Sequence, residues 1–286
     1  MWSIPYGVIA ASKPFRFLVG PDKKEFFMHA ELIARMSEPL SAMVNGEWKE
    51  RSEGVIELPE TDEETFVRFC EFSYTGDYKA AEPPAPPKSE KEDGVPLPLL
   101  DSNYYPSKKK KKKAPDARIA HSEEWGAIQP CSPPPTLLPR RDSMWNEFTN
   151  NISGGLDESL KDSLSKSPSV SCSEVLLCHA HLYVFADCYA IIYLMRLSHR
   201  KLLRALGSFD LHSGGKLDQV RVADVVQLID FLFRNTRSND DIRDLLATYM
   251  ACKLEDLWSN TYFRDVLEST GEVSRALIGQ LMKRLN

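Results

Sequence analysis

The chain has 286 residues, 42% of them hydrophobic, and its 36 basic and 41 acidic groups leave a net charge of -5. That is enough for one large or two small domains with a real core. The weak acidity argues against a general nucleic-acid surface. No run approaches the roughly 18–20 apolar residues that a bilayer crossing needs. The short apolar start, MWSIPYGVIAAS, lacks basic residues and a long enough apolar run and is interrupted by Pro5, so it does not read as a secretory leader.

The charge is unevenly placed. Residues 1–79 carry 9 basic and 14 acidic groups, the whole of the imbalance, whereas 80–172 and 173–286 are each neutral. The six cysteines are irregularly spaced without a CxxC pair. Cys70, Cys178, Cys188 and Cys252 stand within apolar helical patterns, where a thiol packs as a small hydrophobe. This suggests a reduced, intracellular setting, nucleus or cytoplasm being open.

Taken in chain order, residues 1–14 read as a tail. Phe15, Phe17 and Val19 alternate as one buried strand face would. Gly20-Pro21-Asp22 is a turn signal, and Phe26-Phe27-Met28 returns as a second strand. Leu32, Ile33 and Met36 then share a helical face. Ser37 is placed to cap a further helix, with Pro39 tolerated in its first turn; that helix buries Leu40, Met43 and Val44 and stops at Gly46. Val55–Leu58 is a third strand. Thr61-x-x-Glu64 reads as a capping box before a helix carrying Phe66, Phe69 and Cys70 up to Gly76.

Proline marks the next boundary. Of 19 prolines, 14 lie within 80–172, and this segment shows no sustained apolar period. It reads as a mostly disordered Pro/Lys/Ser-rich stretch, with a short island at Met144–Phe148 able to form a transient helix. Beyond it the pattern is helical throughout. Val175 to Ala186 is apolar almost all round, as in a helix buried on both sides. Ala190 to Leu206 is amphipathic, with Arg196, Arg200, Lys201 and Arg204 on or near its wet face, and 216–286 reads as a helical extension with stripes at Val222–Phe233, Ile242–Tyr249 and Val273–Leu281.

Two constellations invite chemistry. Cys178, His179, His181 and Cys188 could ligate a metal, but the paired short spacings of structural zinc sites are missing, and packing is the favoured reading. No G-x-S-x-G, H-E-x-x-H, G-x-G-x-x-G or P-loop occurs. The expectation is a non-enzyme without metal or cofactor. The run Lys108, Lys109, Lys110, Lys111, Lys112 and Lys113, followed by Ala114-Pro115, fits either a nuclear-import signal or plain low-complexity charge. Nothing beside it suggests a DNA-reading element.

The combination Phe27-x-His29-x-x-Leu32-Ile33-x-x-x-Ser37-x-x-Leu40-x-x-Met43, Ile56-Glu57-Leu58 and Phe66-x-x-Phe69-x-x-Phe72-x-Tyr74-Thr75-Gly76 resembles the front of a BTB/POZ domain. Its phrases SEPLSAMVNGEW and YTGDY are closest to fungal members. The family's next helix pair carries an Ala-Asp-x-Tyr signature, matched here by Ala186-Asp187-Cys188-Tyr189. The resemblance thus implies an α+β fold, a small sheet flanked by helices, split into 15–79 and 173–210 by an insertion at 80–172. Lengthening a loop tenfold costs only about 2 kcal/mol of closure entropy. It also implies a non-enzymatic protein-interaction module, in some members a substrate adaptor for a cullin ubiquitin ligase. The place of the cullin-binding loop is taken by Trp48-Lys49-Glu50, with Tyr74 a candidate either for the same surface or for the core. Trp48 would either anchor an interface or fold back, with Glu50 simply solvated. The N-terminal strand-exchange segment of dimeric members is not evident, so homodimerisation stays open. The alternative is a nuclear regulatory or scaffold protein that self-associates and uses the lysine run for import.

Overall fold

The computed structural model describes residues 5–46, 54–82, 140–152, 154–166 and 171–285, all within one compact unit. The fold is mixed α+β, mostly helical, with two small sheets. Trp48, Glu50 and Lys108 to Lys113 lie outside the described residues.

The first sheet has the order β2-β1-β3. Its members are β1 (Pro14–Val19), β2 (Lys24–His29) and β3 (Val55–Leu58), antiparallel between β1 and β2 and parallel between β1 and β3. The register pairs Phe15 with Met28, Phe17 with Phe26 and with Ile56, and Val19 with Leu58, so one face is apolar except at its Lys24 corner opposite Val19. Phe15, Phe17, Val19, Met28, Ile56 and Leu58 are buried on it, as the alternation requires. Before the sheet, α1 (Tyr6–Ala11) rests Ile9 against the core. Residues 1–14 are therefore not wholly a tail.

After β2 come α2 (Ala30–Ala34) and α3 (Glu38–Asn45). The Ser37 hydroxyl accepts from the Leu40 amide at 3.3 Å, closing the first turn of α3. Gly46 ends it in an extended conformation, with its N–H on Ala42. Helix α4 (Glu63–Thr75) is capped by Asp62, whose carboxylate takes the Thr65 amide at 2.7 Å. The capping box at Thr61 and Glu64 is thus displaced by one residue. Asp and Thr are both competent caps, and the one whose backbone is extended where the helix begins wins. Gly76, at φ 80°, closes α4 in the left-handed conformation that glycine adopts without strain.

The reading of 80–172 as one disordered segment fails at its far end. Helices α5 (Arg140–Asn150) and α6 (Glu158–Lys166) form there. Phe148, Ile152, Leu160 and Cys172 are buried in the core. Trp145 stacks on Phe148 at 5.3 Å, and both rings meet Tyr249. The transient island at Met144–Phe148 is part of a packed helix because distant residues cover it, a tertiary effect no local window contains.

Helices α7 (Ser173–Cys188) and α8 (Ile192–Ser208) follow. Beyond them lie a β4–β5 hairpin (His212–Ser213, Lys216–Leu217), α9 (Gln219–Asn235), α10 (Asp241–Cys252), α11 (Leu254–Leu257), α12 (Thr261–Ser269) and α13 (Gly271–Leu285). The hairpin departs from the all-helical reading of the rear. Its two-residue turn, Gly214-Gly215, has positive φ at both positions, the geometry that suits the twist of a tight hairpin.

Two apolar cores result, and α7 belongs to both. Leu182, Phe185 and Ala186, with Ile191, Leu194 and Leu197, pack on the sheet side. Val175, Leu176, Leu177 and Ala180 pack against α9 and the helices behind it. Residues 216–286 are thus built onto α7 and α8 rather than appended to them.

Candidate functional site: a basic-rimmed groove

A cleft of about 580 Å³ opens where α1, α2, the end of α4 and the start of α8 meet. From α2 and the two residues after it come Leu32, Arg35 and Met36; from α4, Phe72 to Thr75 and then Gly76; from α8 and its N-cap, Ile191, Tyr193, Arg196, Leu197 and Arg200; from α1, Tyr6 and Ile9. Leu32, Phe72, Ile191 and Leu197 are core side chains that form its floor. Tyr6, Tyr74 and Tyr193 stand at its mouth, 77%, 47% and 57% exposed.

The backbone around the groove is firmly held. The Ser73 hydroxyl donates to the Phe69 carbonyl, and Thr75 Oγ1 lies 2.7 Å from the carbonyls of Glu71 and Asp77. Tyr74 Oη is 2.8 Å from His29 Nδ1 and also receives the His29 amide. Tyr74 is therefore a surface residue tied to the start of α2, and not a core one.

Just beyond Gly76 the chain is clamped to the rear helices. Lys201 pairs with Asp77 and donates to the Tyr78 carbonyl, and its amine lies 4.2 Å over the Tyr78 ring. Partial burial works against ionising Asp77, but the Lys201 and Tyr78 N–H hydrogen bonds, with the nearby charges of Lys201 and Arg200, outweigh it. The carboxyl is held below its usual range. Tyr78 Oη shares a 2.7 Å hydrogen bond with Nδ1 of the buried His179. Burial, then the charges of Lys201 and Arg68, drives the His179 pKa down to about 3, so the ring is neutral.

The electrostatics of the groove are one-sided. Among the described residues, Arg35, Arg196 and Arg200 line it and no carboxylate does, though Asp77, just beyond Gly76, feels the charge of Arg200. Arg35 is paired with Glu31 of its own helix. Arg196 and Arg200 are exposed and have no salt-bridge partner among the described residues. Two other clefts carry both signs. One combines Glu147, Asp241 and Asp244 with Lys283, and the other Asp210 with Lys161, Arg221 and Lys253.

The Cys/His constellation on α7 resolves into separate packing roles. Cys178 donates to the Val175 carbonyl, and His179 meets Tyr78. His181 lies against Phe231 and 3.6 Å from Asp62, while Cys188 is exposed. Sequence reasoning marked Tyr74 but missed Arg196 and Arg200 as site residues. They read there only as the wet face of an amphipathic helix, and what they face depends on α2 and α4. No helix among the described residues is long and apolar enough to cross a membrane.

The geometry defines a mixed α+β protein with an apolar groove rimmed by arginines. The chain matches no protein-family model and no curated protein.

Proposed function

We propose that the chain is a protein-interaction module of the BTB/POZ kind, acting as a substrate adaptor for a cullin ubiquitin ligase. The observation that carries the reading is the common core of the first sheet, α2–α4 and the later pair α7–α8. This is the order of elements that the resemblance implies, with the Ala186–Tyr189 signature at the joint between the last two helices. The cullin would meet the Trp48–Glu50 loop, where a large aromatic beside an acid makes an interface anchor. Capture of the purified protein by immobilised cullin tests this. Wild type should be retained, and Trp48→Ala and Glu50→Ala should each weaken retention about tenfold or more. No retention of wild type, or equal retention of all three, would sink the adaptor role.

A further inference from the structure

We infer that the groove between α2, α4 and α8 is the docking site for a short segment of a partner protein that carries acidic side chains beside large apolar ones. The inference rests on the interaction-module reading but not on the cullin assignment, because it uses neither Trp48 nor Glu50. The chain is acidic overall, yet the described lining of this groove holds no carboxylate and three arginines, of which Arg35 is paired with Glu31 while Arg196 and Arg200 face the groove without a salt bridge among the described residues. Guanidinium groups match carboxylates in a two-pronged geometry, which gives orientation as well as attraction.

Spacing narrows the class further. Arg196 and Arg200 stand one turn apart on α8, roughly 6 Å along its axis. Two carboxylates match that separation when they lie four residues apart on a helix or two apart on an extended strand. The remainder of the site is apolar and aromatic. Leu32, Met36 and Leu197 would take aliphatic or aromatic side chains, and the tyrosines add contact area at low entropy cost. A small free anion would leave that apolar floor unused. A second copy docked groove to groove about a two-fold axis would set these arginines against themselves.

The test is selection of phage-displayed random dodecapeptides on the full-length protein, followed by titration of the best synthetic peptide. Enriched peptides should carry Asp or Glu within four residues of Leu, Phe or Trp. Their affinity should fall about tenfold or more in Arg196→Glu/Arg200→Glu and in the milder Arg196→Gln/Arg200→Gln, and should weaken as salt rises. Lys216→Glu, on the distant hairpin, should leave it unchanged. With Tyr193→p-benzoylphenylalanine, irradiation should label the peptide. Neutral or basic binders, or binders indifferent to both arginine pairs, would overturn the proposal. So would crosslinks, in the protein alone, to a second copy or within the same chain. Failure of cullin capture with success here would refute the adaptor role alone; the reverse would refute the groove alone.

Discussion

At the scale of single residues, two buried tyrosines make opposite predictions. Tyr78 is 2% exposed, and its hydroxyl shares a hydrogen bond with His179. Tyr78→Phe leaves an imidazole nitrogen unsatisfied in a dry site and should cost about 1–3 kcal/mol. Tyr249 is wholly buried, and its hydroxyl has no hydrogen-bond partner among the described residues. Tyr249→Phe removes a stranded polar atom and should be neutral or stabilising, by up to about 1 kcal/mol. Paired urea denaturation curves check both. Destabilisation of similar size in the two variants would refute the distinction. His179 adds a pH dependence. Its native pKa of about 3 lies far below the value near 6.5 of an unfolded chain. Below pH 6.5 the unfolded state therefore takes up a proton that the native state refuses, and the stability present above that pH is lost progressively toward pH 3. The loss should reach about 2 kcal/mol at pH 5. His199, also depressed by burial, acts in the same direction, while Asp224, raised by burial, opposes both at lower pH. Denaturation midpoints at pH 7, 6 and 5 should fall in wild type and fall less in His179→Gln. A flat wild-type profile would remove this account.

At the scale of elements, what local sequence could and could not show divides along a physical line. Strand β1 was legible because alternation with a period of two is written in the residues themselves, and β2 because a short apolar run follows a turn signal. The double burial of α7 was legible because it is apolar on every side. The start of α3 was legible from Ser37, whose side chain reaches only its own first turn. Helices α5 and α6 were not. Their apolar residues are few and flanked by proline and serine, and they are secured by distant partners: α5 by Tyr249, about a hundred residues away, and α6 by α8. The groove was half legible. Tyr74 could be singled out from its place at the end of α4, whereas the role of Arg196 and Arg200 exists only once α8 lies beside that end.

At the scale of the whole molecule, the strongest expectation is cohesion across the interruption. Front and rear share a core in which Phe69 meets Phe185 at 5.0 Å. Lys201 grips Asp77 and Tyr78, and His181 approaches the Asp62 cap. A chain cut once between residues 82 and 140 by an inserted protease site should run through size exclusion as a single species and separate only in denaturant. Fragments that part in native buffer would mean that the contacts of α7 and α8 with the sheet side do not hold them.

That sharing also sets an order of events during synthesis. When residue 82 has left the ribosome, the face of Phe69 that Phe185 will cover is still without its partner, and roughly a hundred more residues must be made first. At 5–20 residues per second the nascent front half waits on the order of ten seconds with aromatic surface open to water. Through that interval it is a natural client for a chaperone, and the length of the intervening segment sets the wait.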